Sequence, residues 1–257
     1  MVFETISFEK KANILIISIL GSKKDPERLS RLSSELEELR NEILLDQEIR
    51  VILLTGTEEG AFVFPVLIED FEEKTPEYLP EKFFSISAPI SKIEQPVIAV
   101  VPGDAIGQGL EMILSCDIRI GVLGSHYGLP QVKSGLIPWD GGTQRLARLI
   151  GKAKALEMIL TGEAIDAQEA FRIGLINKVV AKEELMKAAM EIATKMASMA
   201  PISLRYIKEA IYKGMDMTLE QGLRLEADLY LLIHTTKDRE EGIKAFRQKR
   251  SPKFEGK

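Results

Sequence analysis

The chain has 257 residues and a formal net charge of −5 at neutral pH, with 45% hydrophobic and 28% charged residues. This composition is that of an ordinary globular protein, long enough for one large domain or a domain with a helical appendage. The acidic balance gives no reason to expect nucleic acid as a partner. Cys116 is the only cysteine, which excludes an intramolecular disulfide and a thiolate metal cluster; no metal site is predicted.

The first residues lack a basic region followed by an apolar stretch, so no signal peptide is predicted. No apolar run approaches the roughly 20 residues that a membrane-spanning helix needs. The expected compartment is therefore the cytoplasm, without a membrane partner.

The first predicted element is a strand over residues 12–19, which are rich in β-branched side chains. Asp25 then offers a helix cap and Pro26 fits the first helical position. Apolar residues follow at spacings of three and four up to Ile43, which predicts an amphipathic helix. Two short apolar runs, 51–56 and 97–101, predict buried strands. Strands alternating with helices indicate an α/β protein with crossover connections.

After about residue 184 the pattern becomes purely helical, and residues 217–234 predict a long tail helix. We therefore divide the chain into a core with the active site at residues 1–195 and a helical assembly region at 196–257.

A glycine-rich segment, Pro102 to Glu111, follows the strand at 97–101 and opens an apolar helix. Backbone N–H groups at a helix start carry partial positive charge, and glycines let a ligand approach them closely. Such a loop can stabilise a developing negative oxygen. Glu111 lies among apolar neighbours and is a candidate catalytic carboxylate. The alternatives are a glutamate on an exposed stripe of the helix and one paired with an arginine.

Four segments resemble the enoyl-CoA hydratase/isomerase (crotonase) superfamily in order and spacing. Residues 95–111, QPVIAVVPGDAIGQGLE, resemble that family's K-P-V-I-A-A-V-N-G-x-A-x-G-G-G-x-E. Residues 135–146, GLIPWDGGTQRL, resemble its G-x-x-P-x-x-G-G-T-Q-R-L. Residues 160–177 are similar to its next block, and residues 238–250 to its C-terminal signature.

The resemblance implies a spiral core of ββα units with C-terminal helices that assemble trimers or dimers of trimers. It implies an acyl-CoA substrate, whose coenzyme A is part of the substrate rather than a separate cofactor. By the family pattern, the backbone N–H groups of Val66 and Gln108 form the oxyanion hole. Trp139 either walls the acyl pocket or packs a loop. The predicted substrate and CoA contacts are Phe64, Leu67, Gly107, Trp139, Phe246 and Lys249.

A hydratase of this family uses two glutamates, which align with Glu111 and Gln131. Glutamine cannot exchange a proton at neutral pH, so it can orient water but cannot act as a general acid or base. Asp140, close to where several family members place an alternative carboxylate, is predicted to complete the catalytic set. The alternative is that Asp140 caps the helix starting at Gly141.

The resemblance implies an enzyme that stabilises a thioester enolate, with hydration of an enoyl-CoA as the default reaction. Hydrolysis of a thioester or of a β-diketone is an alternative reaction on the same fold. A family member that binds acyl-CoA without catalysis is an alternative of another class.

Overall fold

A computed structural model describes residues 3–20, 26–57, 62–64 and 85–257. Within them the strands are β1 (Ile6–Lys11), β2 (Ile14–Ile19), β3 (Val51–Gly56), β4 (Phe62–Val63), β5 (Val97–Val101), β6 (Ala105–Ile106), β7 (Ile118–Val122), β8 (His126–Gly128), β9 (Ile165–Asp166) and β10 (Lys178–Val180). The helices are α1 (Pro26–Leu45), α2 (Ser87–Ser91), α3 (Gln108–Ile113), α4 (Gly142–Ile150), α5 (Lys152–Thr161), α6 (Ala167–Arg172), α7 (Leu185–Ala197), α8 (Pro201–Gly214), α9 (Leu219–Ile233) and α10 (Lys237–Arg247). Two 3₁₀ turns occupy Pro130–Ser134 and Lys182–Glu184.

Two sheets form the core of the molecule. The larger has six strands in the order β1-β2-β3-β5-β7-β10, and the smaller has four in the order β4-β6-β8-β9. Strand β1 pairs antiparallel with β2, and the other neighbours in the large sheet are parallel. Parallel neighbours require crossover connections, which α1, α2 and α3 supply in the described residues.

Successive side chains of the large sheet enter two separate apolar clusters. Because side chains alternate across a strand, Ile52 and Leu54 of β3 face α1 and α3, whereas Val51 and Leu53 face α7. Both faces are covered, so β3 and β5 are continuous apolar runs, as expected for buried parallel strands.

The predicted strands at 12–19, 51–56 and 97–101 are confirmed as β2, β3 and β5. Helix α1 begins at Pro26 as predicted, while its proposed cap, Asp25, lies outside the described residues. The tail helix is α9, which starts after a capping box formed by Thr218 and Gln221. Strand β1 was not predicted. Of its six residues only Ile6 is buried, and the strand ends in Glu9, Lys10 and Lys11, so it lacks the apolar run that marked the other strands.

The chain after β10 is helical, as predicted. Helix α7 packs on the large sheet through Leu185, Ala189 and Ala193. Helix α8 is tied to the core by Lys208, whose Nζ donates to the Asp117 carboxylate at 2.8 Å and to the Gln95 carbonyl at 2.9 Å. The division at residue 195 falls within α7 and stays a prediction. In the described ranges, no helix combines the length and apolar character needed to cross a membrane.

Candidate active site

Two glycines allow α3 to pack closely against β4. A Cβ on Gly109 would lie 1.6 Å from the Phe62 carbonyl oxygen, and one on Gly107 would lie 2.8 Å from that of Phe64. Gly107 also has a φ of +62°, which favours glycine. The glycine-rich segment is therefore required for the close approach of backbone to backbone. Gln108 is the first residue of α3, where the predicted oxyanion donor is expected.

Glu111, on the first turn of α3, is fully buried and held by uncharged donors. Its Oε1 accepts hydrogen bonds from the backbone N–H groups of Asp140 and Gly142, each at 2.8 Å. Its Oε2 accepts from Nε2 of Gln131 at 3.1 Å. The alternatives of an exposed glutamate and of one bonded to an arginine are therefore wrong.

Burial raises the pKa of Glu111 from its ordinary value of 4.5 to about 7. The hydrogen bonds from Gly142 and Asp140 lower it, the charge of Asp140 raises it, and the charge of Arg145 lowers it. A carboxyl group with a pKa near the working pH can both accept and return a proton. This is the property required of a general acid–base group.

Gln131 lies in the 3₁₀ turn after β8 and is buried. Its Nε2 is used by Glu111, while its Oε1 is buried and has no hydrogen-bond partner among the described residues. Gln131, which aligns with the family's second glutamate, therefore contacts Glu111 directly. Its amide presents one bonded donor and one unused acceptor at the same site.

Asp140 is also buried, but its carboxylate points to a different element from Glu111. Oδ1 accepts from the Ser85 hydroxyl, and Oδ2 accepts from the N–H groups of Ile86 and Ser87 at 3.0 and 3.1 Å. Asp140 therefore caps the start of α2. The predicted alternative, in which Asp140 caps the helix starting at Gly141, names the wrong helix. The residue at the N-cap of α4 is Gly141, and no side chain caps this helix.

The loop between the 3₁₀ turn and α4 is closely fitted around Glu111. Arg145 donates to the Asp140 carbonyl oxygen at 2.9 Å, which fixes the loop backbone. A Cβ on Gly142 would lie 2.9 Å from Glu111 Oε1 and 2.8 Å from Pro138 Cβ. Glycine at 142 is thus needed for the N–H of this residue to reach the carboxylate.

The remaining predicted site residues are dispersed. Phe64 is buried beside the Gly107 turn, and Trp139 is 41% exposed next to the buried Pro138. Phe246 is 85% exposed near the end of α10, and Lys249 follows it on the surface. Val66 and Leu67 lie outside the described residues, and the oxyanion hole predicted from Val66 and Gln108 stays a prediction. The described part of the chain contains no group of three or more potential metal ligands.

Sequence reasoning missed the contribution of Ser85, Ile86 and Ser87. These residues bear no catalytic motif, and they reach Asp140 only through the tertiary fold. A serine followed by a short helix was the one local signal available.

Comparisons with known proteins identify the family of the chain. The family model for enoyl-CoA hydratase/isomerase matches residues 11–257. A short-chain-enoyl-CoA hydratase of Clostridium acetobutylicum is 37% identical over 264 residues, covering 100% of this chain and 98% of the relative. A crotonyl-CoA hydratase of Syntrophomonas wolfei is 34% identical, covering 99% of each.

The crystal structure of an enoyl-CoA hydratase from Bacillus anthracis superposes with a TM-score of 0.87 at 36% identity, covering 99% of this chain and 100% of that one. The predicted crotonase-type α/β fold is therefore confirmed. The chain belongs to the enoyl-CoA hydratase/isomerase family.

Proposed function

We propose that the protein adds water across the double bond of an enoyl-CoA thioester. The observation that carries this proposal is the environment of Glu111, a fully buried carboxylate whose hydrogen bonds within the described residues come from uncharged donors of Asp140, Gly142 and Gln131. The relatives that share this chain's full length are named as hydratases of short-chain enoyl-CoA and crotonyl-CoA, which supports this reaction over the alternatives.

In the proposed reaction, Glu111 takes a proton from water as the oxygen attacks the β-carbon. The negative charge passes to the thioester oxygen, where the backbone N–H groups of Gln108 and Val66 stabilise it. Gln131 holds water through its amide and cannot itself exchange a proton. Gly107 and Phe64 lie beside the proposed oxyanion site, and Trp139 and Leu67 are assigned to the acyl and thioester contacts.

We assign the nucleotide end of CoA to Phe246 and Lys249. The phenyl ring of Phe246 is 85% exposed, so a ligand or another chain can reach it. An adenine ring or a neighbouring subunit would cover it. Lys249 would meet a phosphate as a point charge.

Assembly into a trimer or a dimer of trimers is part of the proposal, as is a cytoplasmic location. The helices of the tail leave many large apolar side chains exposed, which favours burial between copies of the chain. These are Ile207, Ile211, Met215, Leu219, Leu223, Tyr230, Leu231 and Leu232. Light scattering coupled to size exclusion would report three or six chains, and a monomer would contradict the assembly.

The test is incubation with a panel of enoyl-CoA thioesters in ¹⁸O-labelled water, followed by mass spectrometry. We expect one labelled water to be added to a short-chain enoyl-CoA by the wild type and by Glu157→Gln, a control at an exposed glutamate on α5. Glu111→Gln should lose the activity. Release of free CoA would instead identify a thioesterase, and binding without turnover would identify a non-catalytic family member.

A further inference from the structure

The side chains of Glu111, Gln131 and Asp140 are buried around the loop before α4. Of these three, Glu111 and Asp140 have a carboxyl group that can carry a proton. Gln131 is excluded from proton transfer by its chemistry. The geometry decides whether the second carboxyl group, that of Asp140, is available.

The carboxylate of Asp140 is fully engaged away from Glu111. It accepts three hydrogen bonds from the Ser85 hydroxyl and the N–H groups of Ile86 and Ser87. Its only hydrogen bond with Glu111 is made by its backbone N–H. The oxygens of Asp140 are therefore occupied by donors at the start of α2, and its backbone rather than its carboxylate faces Glu111.

Gln131 supplies the complementary feature, a place for water beside Glu111. Its Oε1 is buried and has no partner in the described part of the chain, which is unfavourable unless a hydrogen is donated to it. The same amide donates to Glu111 Oε2. A water molecule that donates to Oε1 would therefore lie next to the Glu111 carboxylate.

We propose that Glu111 carries both proton transfers of the hydration and that Asp140 is a positioning residue that holds the loop donating to Glu111. This proposal rests on the proposed function. The O–H bond of water breaks as the C–O bond forms at the β-carbon, and the proton goes to Glu111. The π electrons move to the thioester oxygen. The enolate then returns them to the α-carbon, which takes the proton from Glu111, so the carboxylate is restored and one water is added.

The charged groups that act on Glu111 are few. Asp140 and Arg145 are the two that shift its pKa by their charge. Helices α2 and α4 and strands β4 and β6 pack against α3, and the 3₁₀ turn at Pro130–Ser134 reaches Glu111 through Gln131. Among these described elements, the charged side chains are Arg145 and Arg148 of α4 and Lys133 of the turn.

The experiment is the pH profile of kcat/KM for hydration of crotonyl-CoA by the wild type and by Asp140→Asn. With a single acting carboxyl group, we expect one limb, a loss of activity as pH falls through the pKa of Glu111, and a plateau above it. Asp140→Asn should keep at least about one-tenth of kcat. Its limb should move to lower pH, because a negative charge that raises the pKa of Glu111 is gone.

A bell-shaped profile whose basic limb disappears in Asp140→Asn, together with a loss in kcat of more than about 100-fold, would overturn the proposal. If that variant does not fold, Ser85→Ala removes one hydrogen bond to the Asp140 carboxylate and leaves the carboxyl group intact. We expect it to lower kcat several-fold with KM unchanged and to keep the single limb. A basic limb that moves to higher pH in Ser85→Ala would identify Asp140 as a proton donor and refute its positioning role.

The failure of this proposal is distinguishable from failure of the proposed function. No hydration of any thioester by the wild type overturns both. Hydration with a basic limb that depends on Asp140 overturns the single-carboxyl mechanism alone.

Discussion

The sheet and the tail differ in how far their apolar side chains are exposed. Strands β3 and β5 bury theirs, whereas helices α8 and α9 expose many of theirs. Every side chain of β5 is buried, and so are the apolar ones of β3. In the tail, Ile211 of α8 and Leu223 of α9 are 61% and 55% exposed. The core is covered by its own chain, and it holds a buried carboxylate whose cost is reduced by the three hydrogen bonds that Glu111 accepts. The apolar side chains of the tail are removed from water only if another surface covers them.

The substitution with the largest expected effect is Glu111→Gln, which tests the core half of this comparison. Without a proton-exchanging group at this position, kcat for hydration should fall by about 10³-fold, within the range that general acid–base catalysis contributes. Steady-state kinetics with crotonyl-CoA measures it, and Glu157→Gln is the control. A loss below tenfold would remove Glu111 from the chemistry. Size exclusion should show no change in assembly.

The second prediction concerns the fit of the loop around Glu111. In Gly142→Ala the new methyl group would lie 2.9 Å from Glu111 Oε1 and 3.0 Å from Leu129 Cδ1, so the loop must move away from the carboxylate. We expect kcat to fall by about 100-fold and stability by about 1–3 kcal/mol. Gly214→Ala is the control, since no atom lies within 4 Å of its Cβ position and its φ, like that of Gly142, is not in the positive region. Wild-type kinetics in Gly142→Ala would contradict the fitted loop.

The third prediction tests the tail. The double variant Ile211→Lys with Leu223→Lys places charges on the exposed apolar surface, and burying them between chains would be costly. We expect dissociation to smaller species, which light scattering measures. Leu45→Lys, at an 84% exposed leucine outside the tail, is the matched control. An unchanged assembly would exclude this surface from the interface.

The sequence could predict those features of the fold and site that depend on local patterning, and not those that depend on long-range packing. The runs at 51–56 and 97–101 and the glycine-rich segment follow local rules of patterning and sterics, and the structure agrees with them. The role of Asp140 did not follow, because a local capping rule favours the nearest helix, whereas the fold brings α2 to it from residues 85–87. The burial of Glu111 was undecided, since its neighbours were compatible with either face of α3. Long-range packing decided both.

The smallest expected effect is on the stability of the core, and it comes from the ionisation of the buried Glu111. Because the native pKa of Glu111 is about 7 against an ordinary 4.5, the native state binds more protons than the unfolded state between these pH values. Stability therefore falls as pH rises from about 4.5 to about 7, and it stays lower above this range. Glu111→Gln removes this loss. Its amide oxygen keeps the bonds from Asp140 and Gly142, and a rotated Gln131 amide can accept from its new N–H through Oε1.

We expect Glu111→Gln to be more stable than the wild type by about 2 kcal/mol at pH 8, a shift of a few degrees in Tm, and equal to it near pH 4.5. Calorimetry of both proteins at the two pH values measures the difference, with Glu157→Gln expected to match the wild type at each. A stability gain that does not depend on pH would mean that Glu111 is not the titrating group. A stability loss at pH 8 would mean that the charged carboxylate is held favourably, and that the buried site is adapted to the anion rather than to proton exchange.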